Sequence, residues 1–102
     1  MSTSGIPWSW GFNNYGQLGN GTNTSSNVPV TVSDLSNVIT ISAGGSHSLA
    51  LLEDGTVQAW GYNSYGQLGN GTNTSSNVPV TVSDLSNVIA VSAGAYHSLA
   101  LF

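Results

Sequence analysis

Short apolar stretches alternate with turn residues along this chain, and none carries a helical period. Val88 to Gly94 (VIAVSAG) is apolar at first and then small. His97 to Phe102 (HSLALF) follows a short turn. Runs of this length and alternation predict strands. The earlier copy of the second run, His47 to Leu52, leads into Glu53-Asp54-Gly55. Asp-Gly between two apolar segments predicts a hairpin, with Thr56 to Gly61 as its second arm. A polar connection then runs from Tyr62 to Asn77. Its first half, around Gly66, Gln67, Leu68 and Gly69, reads as a set turn over a buried Leu. Its second half, Thr72 to Asn77, reads as a flexible tip. Val78 to Val82 is the next strand. Pro79 lacks an N–H for the ladder, so this strand belongs at a sheet edge. Asp84-Leu85-Ser86-Asn87 has the composition of a closing turn.

The pattern occurs twice along the chain. Tyr15–Ile39 and Tyr65–Ile89 are identical letter for letter, and between 10–51 and 60–101 six of 42 aligned positions differ. A period of roughly 20–50 residues marks solenoids, propellers and arrays. Small residues on the first strand of each unit, Pro on the outermost and four strands per unit predict propeller blades.

Composition narrows the function classes. Of 102 residues, 39% are hydrophobic and 4% charged; Lys and Arg are absent, and Asp34, Glu53, Asp54 and Asp84 are the only carboxylates. Such a chain cannot neutralise phosphates, which argues against nucleic acid and anionic membranes as partners. Without Cys there is no disulfide or thiolate metal site. No apolar run approaches the roughly 20 residues of a membrane-spanning helix. The opening MSTSGIPWSW lacks the basic and apolar regions of a secretory signal. The cellular compartment stays open.

Two motifs identify a resemblance. One is Trp60-Gly61-Tyr62-Asn63-Ser64-Tyr65-Gly66-Gln67-Leu68-Gly69, matched by Trp10, Gly11, Gly16, Gln17, Leu18 and Gly19 in the first copy. The other runs from Ala93 through Gly94 and His97 to Leu101, matched from Gly44 through His47 to Leu51. Together they resemble the regulator of chromosome condensation repeat. The resemblance covers nearly the whole chain and implies an all-β propeller of four-stranded antiparallel blades, usually seven per ring. The founding member's exchange activity and chromatin binding rest on insertions and basic surfaces absent here, so they are not carried over.

The repeat runs out of phase with the blade. Residues 1–5 are expected to be a tail, 6–32 the outer half of a split blade, 38–82 a complete blade, and 88–102 an inner half completed by the next chain. Strands are expected at Ile6–Gly11, Val28–Val32, Val38–Gly44, His47–Leu52, Thr56–Gly61, Val78–Val82, Val88–Gly94 and His97–Phe102. Two blades are too few to close a ring, so homo-oligomerisation is expected, head to tail. Each chain adds two blades, giving an even-bladed ring. Eight blades from four chains are favoured, because opening a seven-blade geometry strains packing less than tightening it. Six from three chains are the alternative.

Each candidate residue also has a structural reading. His47 and His97 could form symmetric metal sites, but a metal needs further ligands nearby, and each opens a strand as an internal hydrogen-bonding residue. Trp10 and Trp60 fit packing between blades. Trp8 has Gln58 as its counterpart and stands apart. Gln17 and Gln67 fit turn-stabilising roles. Asn20-Gly21-Thr22, Asn23-Thr24-Ser25 and their copies match a glycosylation pattern that so polar a loop produces by chance. Glu53 and Asp54 are adjacent in a hairpin and form no catalytic pair. Ser46-His47 and His97-Ser98 lack an acid to orient the histidine. The expected function is therefore a self-assembling scaffold with no catalytic, cofactor or metal site. The alternative is a multivalent module binding a glycan or protein through loops 20–27 and 70–77.

Overall fold

The computed structural model describes residues 5–102. Eight strands follow one another: β1 (Trp8–Gly11), β2 (Ser26–Thr31), β3 (Val38–Ala43), β4 (His47–Leu52), β5 (Val57–Gly61), β6 (Ser76–Thr81), β7 (Ala90–Ala93) and β8 (Ser98–Leu101). They form three antiparallel sheets: a β1-β2 pair, a complete β3-β4-β5-β6 blade, and a β7-β8 pair. The fold is thus all-β with a four-stranded antiparallel blade at its centre. Apart from Gly5, the tail expected over 1–5 lies outside the described residues. Gly5 itself exchanges two backbone hydrogen bonds with Val38, 2.9 and 3.0 Å long.

The β4-β5 hairpin forms around Glu53-Asp54-Gly55. Gly55 sits at φ 82°, and its N–H donates to Leu52 O at 3.0 Å. Asp54 Oδ1 accepts from the Thr56 hydroxyl at 2.6 Å and its N–H at 3.1 Å. Those bonds, the hydroxyl's first, hold the Asp54 carboxyl below its usual range. This carboxylate is turn chemistry. The outer turns use short polar residues in the left-handed region, with Asp34 at φ 52°, Asn37 at 59°, Asp84 at 60° and Asn87 at 56°. Asn and Asp tolerate that region better than other side-chain-bearing residues.

The two middle strands of the central blade, β4 and β5, are buried on both faces. On one, Ala50 and Trp60 pack with Val32, Leu35, Val38 and Leu52. On the other, Leu49, Ala59 and Leu68 meet Val80, Val82, Val91 and Ala93. Leu51, Val57 and Val88 continue that second face. Successive side chains of β4 point to opposite sides, so one strand packs toward both neighbouring two-stranded sheets.

The structure moves several strand ends. The outer strands begin at Ser26 and Ser76, two residues earlier than the sequence pattern predicts, and end at Thr31 and Thr81. Gly11 and Gly61 pair with Ser26 and Ser76 across an irregularity in register, which extends the ladder into the polar connection. β1 starts at Trp8 instead of Ile6. β7 starts at Ala90 instead of Val88, and β8 covers Ser98–Leu101 instead of His97–Phe102. Both are shorter than β3 and β4, their copies in the complete blade, where further strands flank the pair.

Candidate functional site

The G-Q-L-G turn is the point at which one blade grips the next. Leu18 and Leu68 are buried. Gln17 O accepts two hydrogen bonds from the central blade, one from Trp60 Nε1–H at 2.8 Å and one from the Ser48 hydroxyl at 2.9 Å. Gly19 lies against the indole. At φ 71° a Cβ there would stand 2.7 Å from Trp60 Nε1, so no side chain fits. Gly11, Gly16, Gly61, Gly66 and Gly69 also take positive φ. Gln17 Oε1 and Gln67 Oε1 each accept the N–H of the tyrosine two residues earlier, at 3.0 Å. Gln67 is itself buried, with Nε2 unpartnered.

His47 is buried and bridges two blades. Its Nε2 lies 2.9 Å from Ser98 Oγ. The Ser98 hydroxyl gives its one proton to Gln67 O at 2.7 Å, so it accepts from His47 Nε2–H. Nε2 therefore carries a proton; burial disfavours the charged ring, which leaves the neutral Nε2–H tautomer with Nδ1 lacking a hydrogen-bond partner. Burial pushes its pKa down, opposed by the His97 backbone and reinforced by the nearby His97 charge. Gly44 admits this packing: a Cβ there would meet Gly94 O and His47 Cε1 at 2.6 Å. Gly94 plays the same part beside His97, but His97 is exposed. Among the described residues no group of three His, Asp or Glu could hold a metal.

The asparagines of the two W-G-x-N motifs, Asn13 and Asn63, brace the polar connection that follows each of them. Asn63 is fully buried. Its amide donates to Thr72 O and Thr74 O, each at 3.0 Å, and its Oδ1 accepts Leu68 N–H at 2.9 Å. Asn13 repeats the arrangement with Thr22, Thr24 and Leu18. The expectation of a flexible tip over Thr72–Asn77 is thus corrected. Thr72 and Thr74 are braced by Asn63, and Ser76 and Asn77 belong to β6. The motif spelled out Asn63, but nothing local reveals that its partners lie nine to eleven positions ahead.

Equivalent positions of the two repeats differ sharply in burial. Trp60 is 2% exposed, whereas Trp10 is 63% exposed. Leu49 and Leu51 are each 2% exposed, whereas Leu99 and Leu101 are 62% and 59%. These are the same residues at the same repeat positions, and only the neighbouring strands differ. The strand β1 has a partner on one side, as does β8. Two clefts flank the central blade. The first, of about 270 Å³, lies between Trp8, Trp10 and Ile41, Ala43, His47. The second, of about 280 Å³, is lined by Gln67, Leu68, Val82, Val91 and Leu99.

Comparison with known proteins agrees with this geometry. A model of the "Regulator of chromosome condensation (RCC1) repeat" matches residues 4–51 and 54–101. Human Protein RCC2 is 43% identical over 61 residues, 58% of this chain and 12% of that protein. The Danio rerio RCC2 homolog is 41% identical over 59 residues. Among solved structures, Prp20p from Saccharomyces cerevisiae superposes with a TM-score of 0.85 at 20% identity, over 98% of this chain and 27% of that one. Human WBSCR16 gives 0.79 at 30% identity, over 94% and 26%. The matched part of the chain therefore covers about an eighth of the RCC2 proteins and about a quarter of the solved propellers it matches. With both repeat units matched, the chain belongs to the regulator of chromosome condensation (RCC1) repeat family.

Proposed function

We propose that copies of this chain join head to tail, β8 of one pairing with β1 of the next, into a closed even-bladed propeller that acts as a scaffold without catalysis. One observation carries the reading: Trp10, Leu99 and Leu101 are exposed, while their repeat copies Trp60, Leu49 and Leu51 are buried. The complete blade supplies the template. There His47 pairs with Gly61, Ser48 with Trp60, Leu49 with Ala59, Ala50 with Gln58 and Leu51 with Val57. Carried forward by one repeat, this register sets Ser98 opposite Trp10 of the next copy, Leu99 opposite Ser9, and Ala100 opposite Trp8. Pro7 then occupies the position of Val57. Val57 O accepts from Val82 N–H, so the polar groups at that position point to the outer strand. Pro7 O likewise accepts from Val32 N–H at 3.2 Å. The missing N–H of Pro7 costs the new ladder nothing.

Contacts between blades translate in the same way. The bond from Trp60 Nε1–H to Gln17 O becomes one from Trp10 to Gln67 O of the preceding copy. The pair His47 and Ser98 becomes His97 and Ser48 of the following copy. Leu99 and Leu101 then face Ile41, itself exposed in the single chain, so strand edges and apolar faces are covered together. Four chains would give eight blades and three would give six. Native mass spectrometry tests this. The expected mass is four times the 10.4 kDa of one chain; three times that value keeps the ring and changes its size. A dominant monomer overturns the reading.

A second reading, a multivalent glycan- or protein-binding module, has one observation in its favour. Phe12, Tyr15, Tyr62, Tyr65 and Tyr96 form a series of edge-to-face contacts, with centroids 4.6–6.2 Å apart. Asn23 and Asn73 tie loops 20–27 and 70–77 to residues 14 and 64, beside Tyr15 and Tyr65. The solved relative Prp20p is described with binding properties to Gsp1p and histones, so partner binding has precedent among structural neighbours. Saturable binding on a glycan or peptide array, lost when Tyr15 and Tyr65 are replaced by Ser, would support this reading.

A further inference from the structure

Between the outer turn Ser33–Ser36 and the central blade lies a crevice of about 350 Å³, lined by Leu52, Gln58, Val78 and Pro79. Gln58 does not fill it, because its Nε2 is drawn to Thr81 Oγ1 at 3.0 Å on the outer strand. One repeat further along, the same crevice would recur where two copies meet. Its walls would be Ser83–Ser86 and Phe102 of one copy, with Trp8, Val28 and Pro29 of the next. Two of these positions depart from the repeat, and both become aromatic: Trp8 stands for Gln58 and Phe102 for Leu52. Both rings are exposed in the single chain. Leu35 at the in-chain crevice is buried, but its copy Leu85 is only half-buried.

We propose that Trp8 of one copy and Phe102 of the preceding copy close against each other over Leu85, an aromatic latch that fills the interchain seam better than Gln58 and Leu52 fill the in-chain crevice. The occupant of this surface is a second copy of the chain, and the inference rests on the head-to-tail reading above. The geometry follows from the observed register. Ala50 faces Gln58, and Leu52 lies two positions further along β4 on the same side, which makes Leu52 and Gln58 diagonal neighbours. Diagonal pairs are roughly 7–8 Å apart at the backbone, within reach of aromatic side chains. Trp and Phe in those places can meet edge to face. Leu and Gln cannot.

The test uses the 102-residue chain and its variants Trp8→Gln and Phe102→Leu. Each installs the residue that the other repeat copy already holds at that position, so neither is foreign to a blade. Mass photometry over a dilution series reads the concentration at which the assembly falls apart. Each variant is expected to raise that concentration about tenfold, with ring size unchanged. The double variant is expected to fall short of the product of the two, because the pair is broken once. If the single variants dissociate at the wild-type concentration, or their effects multiply in full, the latch is overturned while head-to-tail assembly stands. If the wild-type chain never assembles, both ideas fall.

Discussion

Removing the same side chain from two repeat positions separates what the chain holds alone from what it would gain by the proposed assembly. Trp60 is 2% exposed, lies over Gly19 and donates to Gln17 O. Its truncation to Ala in the folded chain should cost about 3–5 kcal/mol, the range for buried large aromatics. Little of that comes from the carbonyl, because Gln17 O keeps the Ser48 hydroxyl as a donor. Trp10 is 63% exposed, so Trp10→Ala should cost the single chain about 1 kcal/mol or less. At a seam between copies, Trp10 would acquire the surroundings of Trp60. The difference, about 3 kcal/mol, corresponds to a loss of roughly 100-fold in affinity at each seam. Urea unfolding of both variants, at a concentration where the wild type is monomeric, should show a large shift for Trp60→Ala and almost none for Trp10→Ala. Native mass spectrometry at higher concentration should show Trp10→Ala reduced to monomer. Assembly of Trp10→Ala at the wild-type concentration would refute the reasoning, as would equal urea shifts for the two variants under dilution.

Three further outcomes follow from the same contacts. Asn63→Ala strips Thr72 O, Thr74 O and Leu68 N–H of their partner and should destabilise by about 2–3 kcal/mol, with faster amide exchange at Leu68; an unchanged urea midpoint would contradict the role given to this amide. Gly44→Ala places a Cβ 2.6 Å from Gly94 O and should cost about 1–3 kcal/mol, whereas Gly5→Ala, with nothing within 4 Å, should stay within about 0.5 kcal/mol; equal thermal midpoints for the two variants would show that the close approach is not limiting. The burial-lowered pKa of His47 means that the unfolded chain binds more protons below about pH 6.5. Stability should therefore be complete above that pH and decline as pH falls from it toward 5. His47→Gln should flatten this limb, and a wild-type urea midpoint constant from pH 7.5 to 5 would rule the mechanism out.

Much of the fold is legible in the residues. The Asp54-Gly55 turn, the edge position of Pro79, and the small residues Ser92, Ala93 and Gly94 encode strand order through local chemistry that each segment carries alone. The W-G-x-N-x-x-G-Q-L-G motif likewise points to the turn that grips the next blade. The bracing of the polar connection by Asn13 and Asn63 is harder to read, because an amide's partners depend on how a loop folds back. The neutral Nε2–H tautomer of His47 needs Ser98 and Gln67, which come from a different sheet and a different loop.

The sequence by itself determined the repeat unit, its four strands and its family, because turn propensity and strand alternation are local and return with each copy of the repeat. Only the tertiary structure decided which copy of each apolar residue is covered. Trp10 and Trp60, or Leu49 and Leu99, are indistinguishable as letters and opposite in burial. The physical reason is that hydrophobic burial is set by the strands packed alongside, and these identical residues have different neighbours.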